Sequence, residues 1–213
     1  MRIIIEAVTD KNGEAAMERI RRQVFEREIG LKLPRLGTSD SAGVLHLLAR
    51  TESDGDPVAT LTVLNTSGDQ DLFDKYGLEF DSGALTARYT QLAVLKPYRG
   101  MSIPLMMIIE GHRRFVAPQQ IQHTWLLFDA GRAAESTMCR LLAFDPGERV
   151  LESEYGTSRA LVRNEMAPRS IAANRSAGEF LDQFVTSYSI TSPRESPHPG
   201  FLRNTRFGSA RYP

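Results

Sequence analysis

The order of local signals along the chain predicts an α+β domain with a mixed central sheet flanked by helices, followed by a C-terminal helix and an extended tail. Three observations carry this expectation. Two apolar runs, 44–49 and 58–64, are joined through Asp54-Gly55, a strong hairpin signal, so the sheet contains antiparallel strands early. A strand, helix, strand unit occupies residues 85–128, which makes the sheet mixed and disfavours a purely doubly wound one. Two further runs, 150–155 and 160–164, are hinged at Gly156 and predict a closing hairpin.

The elements follow in order. Arg2 to Val8 is expected as a strand, and Gly13 to Glu28 as a helix from the spacing of Ala16, Ile20 and Val24. Residues 30–42 mix Gly, Pro and Ser without a period and predict a loop or short irregular helix, a candidate substrate-covering segment. The stretch 66–84 predicts a short helix and a loop, and 85–95 a strand that stops at Lys96-Pro97. Ile103 to Phe115 predicts a buried helix with Ser102 as N-cap and Pro104 in the first turn, where a missing N–H costs little. His123–Phe128 is expected as a buried strand, with helices over 133–142 and 170–184. From Ser187 onward, Arg194, Arg203, Arg206 and Arg211 against Glu195 alone give a basic, extended tail.

Composition removes several function classes. The 213 residues suit one compact domain, and 41% hydrophobic with 24% charged residues matches an ordinary globular protein. Lys plus Arg and Asp plus Glu are equal at 26 each, so no global charge draws the chain to nucleic acid or an anionic membrane. No run approaches the length of a membrane span, and residues 1–9 are too short for a secretory apolar core, so a cytoplasmic location is expected. Cys139 is alone, which excludes an internal disulfide, and no Cys/His spacing suits a metal, so none is expected. His112 and His123 have no carboxylate or second histidine at ligand spacing and are expected in solvated or packing roles.

One stretch is more specific. Gln91-Leu92-Ala93-Val94-Leu95-Lys96-Pro97-Tyr98-Arg99-Gly100 resembles the acyl-donor motif of the GNAT N-acyltransferases, which ends the fourth strand and begins a pyrophosphate loop. In this chain Ser102 and Pro104 stand where the family's second and third loop glycines fall. Met138 to Phe144 resembles a second family motif, with Cys139 in the place of a tyrosine and Ala143 in that of a glycine. The resemblance spans residues 15–165. It divides the chain into a GNAT-like domain (1–165), a C-terminal helix (166–186) and the basic tail (187–213). Arg22-Gln23-Val24-Phe25 with Glu28-Ile29-Gly30 looks most like the autoinducer synthases and long-chain N-acyl amino acid synthases, although Arg88 and Gln91 replace the Glu and Arg usual on their fourth strand.

The resemblance implies transfer of an acyl group from acyl-CoA, or from the phosphopantetheine of an acyl carrier protein, to a primary amine of a small molecule or peptide by direct attack. Its alternative is a non-catalytic relative that binds an acyl thioester or a partner. A homodimer is among its implications. The thioester carbonyl would be polarised by backbone N–H groups around Ala93, Val94 and Leu95. The donor's phosphate would meet Gly100, Met101, Ser102 and Ile103 at a helix N-terminus, with Arg99 adding charge. Without the resemblance, Arg99-Gly100 reads as a plain strand-to-helix turn, since a lone Arg-Gly is a weak phosphate signal.

Cys139 takes the place from which the family's tyrosine protonates the leaving thiolate, and a thiol of ordinary pKa near ~8.5 suits that task. It could instead accept the acyl group, or be a small core residue beside Met138 and Leu142. His46, on an otherwise apolar strand, is either a core histidine or a base facing a cleft. Tyr89 and Gln91 share a strand face by period two, where either could hold the amine, and Arg88 faces the other way. Met101, Met106 and Met107 are core at helical spacing or the lining of an acyl channel. If a carrier protein is the donor, its acidic surface should meet Arg99, Arg113 and Arg114.

Overall fold

The computed structural model describes residues 2–32, 43–99, 102–130, 137–153, 156–183 and 188–190. Its strands are β1 (Ile3–Ala7), β2 (Val44–Thr51), β3 (Pro57–Asn65), β4 (Thr86–Val94), β5 (His123–Asp129), β6 (Asp145–Ser153), β7 (Gly156–Asn164) and β8 (Tyr188–Ile190). Its α-helices are α1 (Lys11–Arg21), α2 (Gln70–Tyr76), α3 (Ile103–Gly111), α4 (Thr137–Leu142) and α5 (Pro168–Gln183). The strands form one eight-stranded sheet in the order β6-β7-β5-β4-β3-β2-β1-β8. The expected α+β class and mixed sheet hold.

Two antiparallel halves meet at a single parallel seam. β1 to β4 run as a meander, β5, β7 and β6 pair antiparallel, and β4 and β5 join the halves in parallel. The hairpin between β2 and β3 turns at Gly55, with φ of 70°, a conformation glycine adopts without steric cost. β8 adds a parallel edge strand to β1 within the segment expected as tail. The remainder of that tail, from 191 onward, lies outside the described residues.

Each face of the sheet carries its own core. On one face, α1 places Ala16, Met17 and Ile20 over Leu48 and Ala93, while α2 packs Phe73 and Tyr76 on Trp125. On the other, α3 is buried on all sides, as its sequence predicts, against Leu47, Leu61, Val63 and Tyr89. Gly111 permits that approach: a Cβ there would stand 3.0 Å from both Tyr89 Cε1 and Val63 Cγ2. Glu110, 1% exposed, is paired with Arg114 at 3.0 Å and with Arg113 at 3.4 Å. Arg114 also donates to the Ile5 carbonyl at 3.2 Å. Both arginines, expected on a carrier-docking surface, are therefore tied to a buried carboxylate.

Two of the helices, α1 and α3, depart from the expected form in the same way. The helix expected over 13–28 starts at Asp10, whose carboxylate accepts from Gly13 N–H at 2.7 Å, but α1 widens after Arg21 into a π-helical stretch, Arg22–Ile29. Gly30, at φ 79°, stops it. α3 likewise passes into π-helical turns over His112–Val116. Such widened turns recur at functional sites. Among the described residues no helix is long and apolar enough to cross a membrane.

Candidate functional site

The site begins where the parallel seam comes apart. β4 and β5 pair at only three positions, Thr86 with His123, Ala87 with Thr124 and Arg88 with Trp125. Beyond Arg88, β4 continues to Val94 alongside β3 alone. Its register on β3 shifts between Thr60 and Thr62, opposite Ala93 and Thr90, so β4 carries one extra residue there. Gln91 lies in that bulge with φ 50°, a left-handed value unusual for a residue other than glycine.

The bulge decides which backbone groups face the gap. Leu95 N–H donates to Val58 O at 2.9 Å and is committed to β3. Adjacent residues in a strand direct their N–H and C=O groups to opposite sides, so Ala93 also addresses β3 and Val94 addresses the gap. The Val94 carbonyl agrees, since Arg99 Nε donates to it at 2.9 Å from that side. Of the three expected polarising positions, Val94 alone turns its N–H to the space β5 has vacated.

Arg99 also spans the mouth of an open cleft of about 710 Å³ lined by Gln23, Glu28, Ile29, Leu95, Lys96, Pro97 and Arg99. Arg99 Nη2 donates to Glu28 Oε2 at 2.5 Å, joining the strand end to the π-helical stretch. Gln23 Nε2 reaches Glu28 Oε1 at 3.4 Å. The Arg99 hydrogen bond, helped by Gln23 and the charge of Lys96, holds the Glu28 carboxyl below the usual carboxylate range. Arg99, expected to add charge for the donor's phosphate, has part of its guanidinium held by Glu28.

Beyond Arg99, two residues standing where the resemblance places glycines have left-handed backbones. Ser102 precedes α3 at φ 58° and its side chain makes no capping bond, so it acts through its backbone and not as the side-chain cap expected. Ala143, in the other glycine position, has φ 57°. Two non-glycine residues thus hold conformations that glycine takes freely. Gly100 and Met101 lie outside the described residues.

The remaining candidates fall on different faces. His46 is 4% exposed on the α1 face, with Nδ1 2.8 Å from Thr62 Oγ1, which also accepts from Arg21 Nη2 at 2.5 Å. Tyr89 lies on the α3 face, 4% exposed, its ring edge-on to Phe144 at 6.4 Å. Burial, with the charge of Glu165 adding to it, pushes the Tyr89 phenol well above its ordinary value. Left-handed Gln91 breaks the alternation by which Tyr89 and Gln91 were expected to share a face. Arg88 faces away from Tyr89 as expected, its guanidinium 4.8 Å from the Trp125 ring and 5.0 Å from that of Tyr76. Cys139 on α4 is half-buried against the core cluster that includes Val94.

A buried polar cluster was missed, because its members are far apart in the sequence. Glu165 Oε1 accepts from Thr124 at 2.5 Å, and Oε2 lies 3.1 Å from Arg163 and 3.4 Å from His112 Nδ1. Burial, then the positive Arg163 and Arg113, lowers His112 to about 4. Burial raises Glu165 against the pull of Arg163. Glu28, Gln23 and Lys96 were also missed as cleft residues. The Arg22 to Gly30 run was the only signal that could have pointed to the first two. Among the described residues no group of His, Cys, Asp and Glu could hold a metal ion.

No family description matches the sequence, and no curated protein matches it. Solved structures do. FeeM, an N-acyl amino acid synthase from uncultured soil microbes, matches with a TM-score of 0.61 at 12% identity, over 80% of this chain and 98% of its own. BjaI, a CoA-dependent acyl-homoserine lactone synthase, gives 0.61 at 14% identity over 91% and 95%. ElaA of Escherichia coli gives 0.57 at 15% over 76% and 99%. Likeness at these identities establishes the fold: the chain has the fold of the GNAT-type N-acyltransferases, as the resemblance at residues 91–100 implied.

Proposed function

We propose that this chain, built on the GNAT N-acyltransferase fold, moves an acyl group from a thioester of coenzyme A, or of a carrier protein's phosphopantetheine, to a primary amine of a small molecule or peptide. The observation that carries this reading is the parted β4/β5 seam, with Val94 N–H turned into it beside the bulge at Gln91. A thioester arm lying in the gap would place its carbonyl oxygen on that N–H, which stabilises the oxyanion as the amine nitrogen attacks the carbonyl carbon. The carbon–sulfur bond then breaks, the leaving thiolate takes a proton from Cys139, and the nitrogen gives up its extra proton to Gln91-held water or to solvent.

The donor's phosphate meets Arg99 and the start of α3, where Ile103 presents an N–H and Pro104 cannot. His46 supports β4 from the α1 face through Thr62, which is paired with Thr90. Tyr89 packs behind the strand. FeeM and BjaI support the reading through the activities stated for them, an N-acyl amino acid synthase and a CoA-dependent acyl-homoserine lactone synthase. A lone cysteine and balanced charge suit work in the cytoplasm.

A second reading, a protein that binds acyl thioesters without turning them over, is favoured by the donor loop, where Ser102 and Pro104 replace glycines. Incubation with a panel of acyl-CoAs and acyl carrier proteins, each with and without candidate amines, while trapping released thiol, separates the two. Amine-dependent thiol release is the expected result. Donor binding without release would establish the second reading, and neither binding nor release would overturn both.

A further inference from the structure

We infer that Glu28 is a positioning residue for the donor: it pins the Arg99 guanidinium across the cleft mouth before the donor arrives. The inference rests on the proposed acyl-thioester site and deepens it. Arginine carries five N–H donors in a rigid planar fork. In Arg99 one of them, Nε–H, is spent on the Val94 carbonyl at 2.9 Å, and one Nη2–H on Glu28 Oε2 at 2.5 Å. The guanidinium is thus held from two directions, by the strand end and by the π-helical stretch, while three donors stay open to an anionic ligand.

A pair this exposed adds little to stability, since the two side chains retain 44% and 22% of their surface. Its use lies in geometry. An arginine side chain left to sample its rotamers must be ordered when a phosphate binds, and that cost is subtracted from affinity. Glu28 is itself steadied by Gln23 and by Gly30, the left-handed stop that ends its helix at Ile29. Lys96 leaves the cleft mouth net positive even with Glu28 charged, so the carboxylate orients Arg99 without repelling the donor.

Calorimetry with coenzyme A as the probe tests this on wild type, Glu28→Ala, Glu28→Gln, Arg99→Ala and the Glu28→Ala/Arg99→Ala double variant. Glu28→Ala should weaken binding about tenfold, and Glu28→Gln, whose amide oxygen still accepts from Arg99, should restore most of it. The double variant should bind no worse than Arg99→Ala alone. Under turnover, Glu28→Ala should raise the donor KM and leave kcat unchanged. Unchanged or tighter binding by Glu28→Ala, or additive losses in the double variant, overturns the inference.

The resonance of the Arg99 Nη2–H that bonds Glu28, in the protein without donor, gives a separate reading. It should be sharp and slow to exchange in wild type and broadened in Glu28→Ala. Equal signals in both overturn the pinning whatever the donor is. Wild type that binds no coenzyme A, with the resonance behaving as expected, overturns the donor reading and the purpose assigned to Glu28 while leaving the pinning itself established.

Discussion

The two ends of the β4/β5 seam share the same pair of strands but serve opposite ends. At the closed end, Arg88 lies over the rings of Trp125 and Tyr76, Trp125 Nε1 donates to Thr66 Oγ1 at 3.2 Å, and Thr124 donates to buried Glu165. Trp125 and Thr124 are fully buried. At the open end, β4 bulges at the left-handed Gln91, and beyond its last residue an exposed Arg99 lines a cleft. The fold spends its packing at one end so that the other can remain unpaired, which explains how a strand edge is left open inside a stable sheet.

The largest expected effect strikes the closed end through pH. His112 is lowered to about 4, so between pH 6.5 and 4 the unfolded chain takes up a proton that the folded one refuses. Stability should therefore fall over that window, by up to about 3 kcal/mol, and level off below it. Glu165, raised in the fold by burial, opposes the loss, because as pH falls the folded chain takes up its proton before the unfolded one does. Thermal midpoints of wild type and His112→Gln across pH 7 to 4 check this, and the variant should lose most of the slope. An unchanged slope would mean that His112 does not carry the acid loss of stability. Donor affinity at pH 7 should be alike in both proteins.

Next in size, Arg99→Ala should weaken coenzyme A binding by on the order of 1.5–3 kcal/mol through lost charge-assisted bonds, with the thermal midpoint nearly unmoved. A large drop in midpoint with affinity intact would assign Arg99 to the scaffold and blur the distinction between the two ends.

Smallest is the backbone strain of the bulge. A left-handed conformation costs a side-chain-bearing residue roughly 1–2 kcal/mol, so Gln91→Gly should be more stable than Gln91→Val by about that amount in urea denaturation. Equal stability, or the reverse order, would mean that the bulge lies elsewhere on β4.

Local pattern made most elements legible. The Asp54-Gly55 turn marked the β2/β3 hairpin, and the apolar run after Ser102 marked a buried α3. The stretch 91–100 marked where the fourth strand ends. Register could not be read: a bulge at Gln91 depends on how β4 lies against β3, and it alone decides that Val94 and not Leu95 faces the gap. Contacts across long separations were equally hidden. Glu28 and Arg99 are 71 residues apart, and Thr124 and Glu165 are 41 apart. Arg113 and Arg114 looked like surface charge because nothing in sequence tells that Glu110, one turn earlier, is buried.

The most direct test of the account follows the backbone amides of β4 by NMR while a non-hydrolysable thioether analogue of acyl-CoA is added. The Val94 amide should move most, in the direction of a new hydrogen bond, and the amides of Ala87 and Arg88 at the closed end should stay where they are. A Val94 amide that does not respond to a bound analogue, or a response centred on Ala87 and Arg88, would contradict the assignment of acyl transfer to the open end.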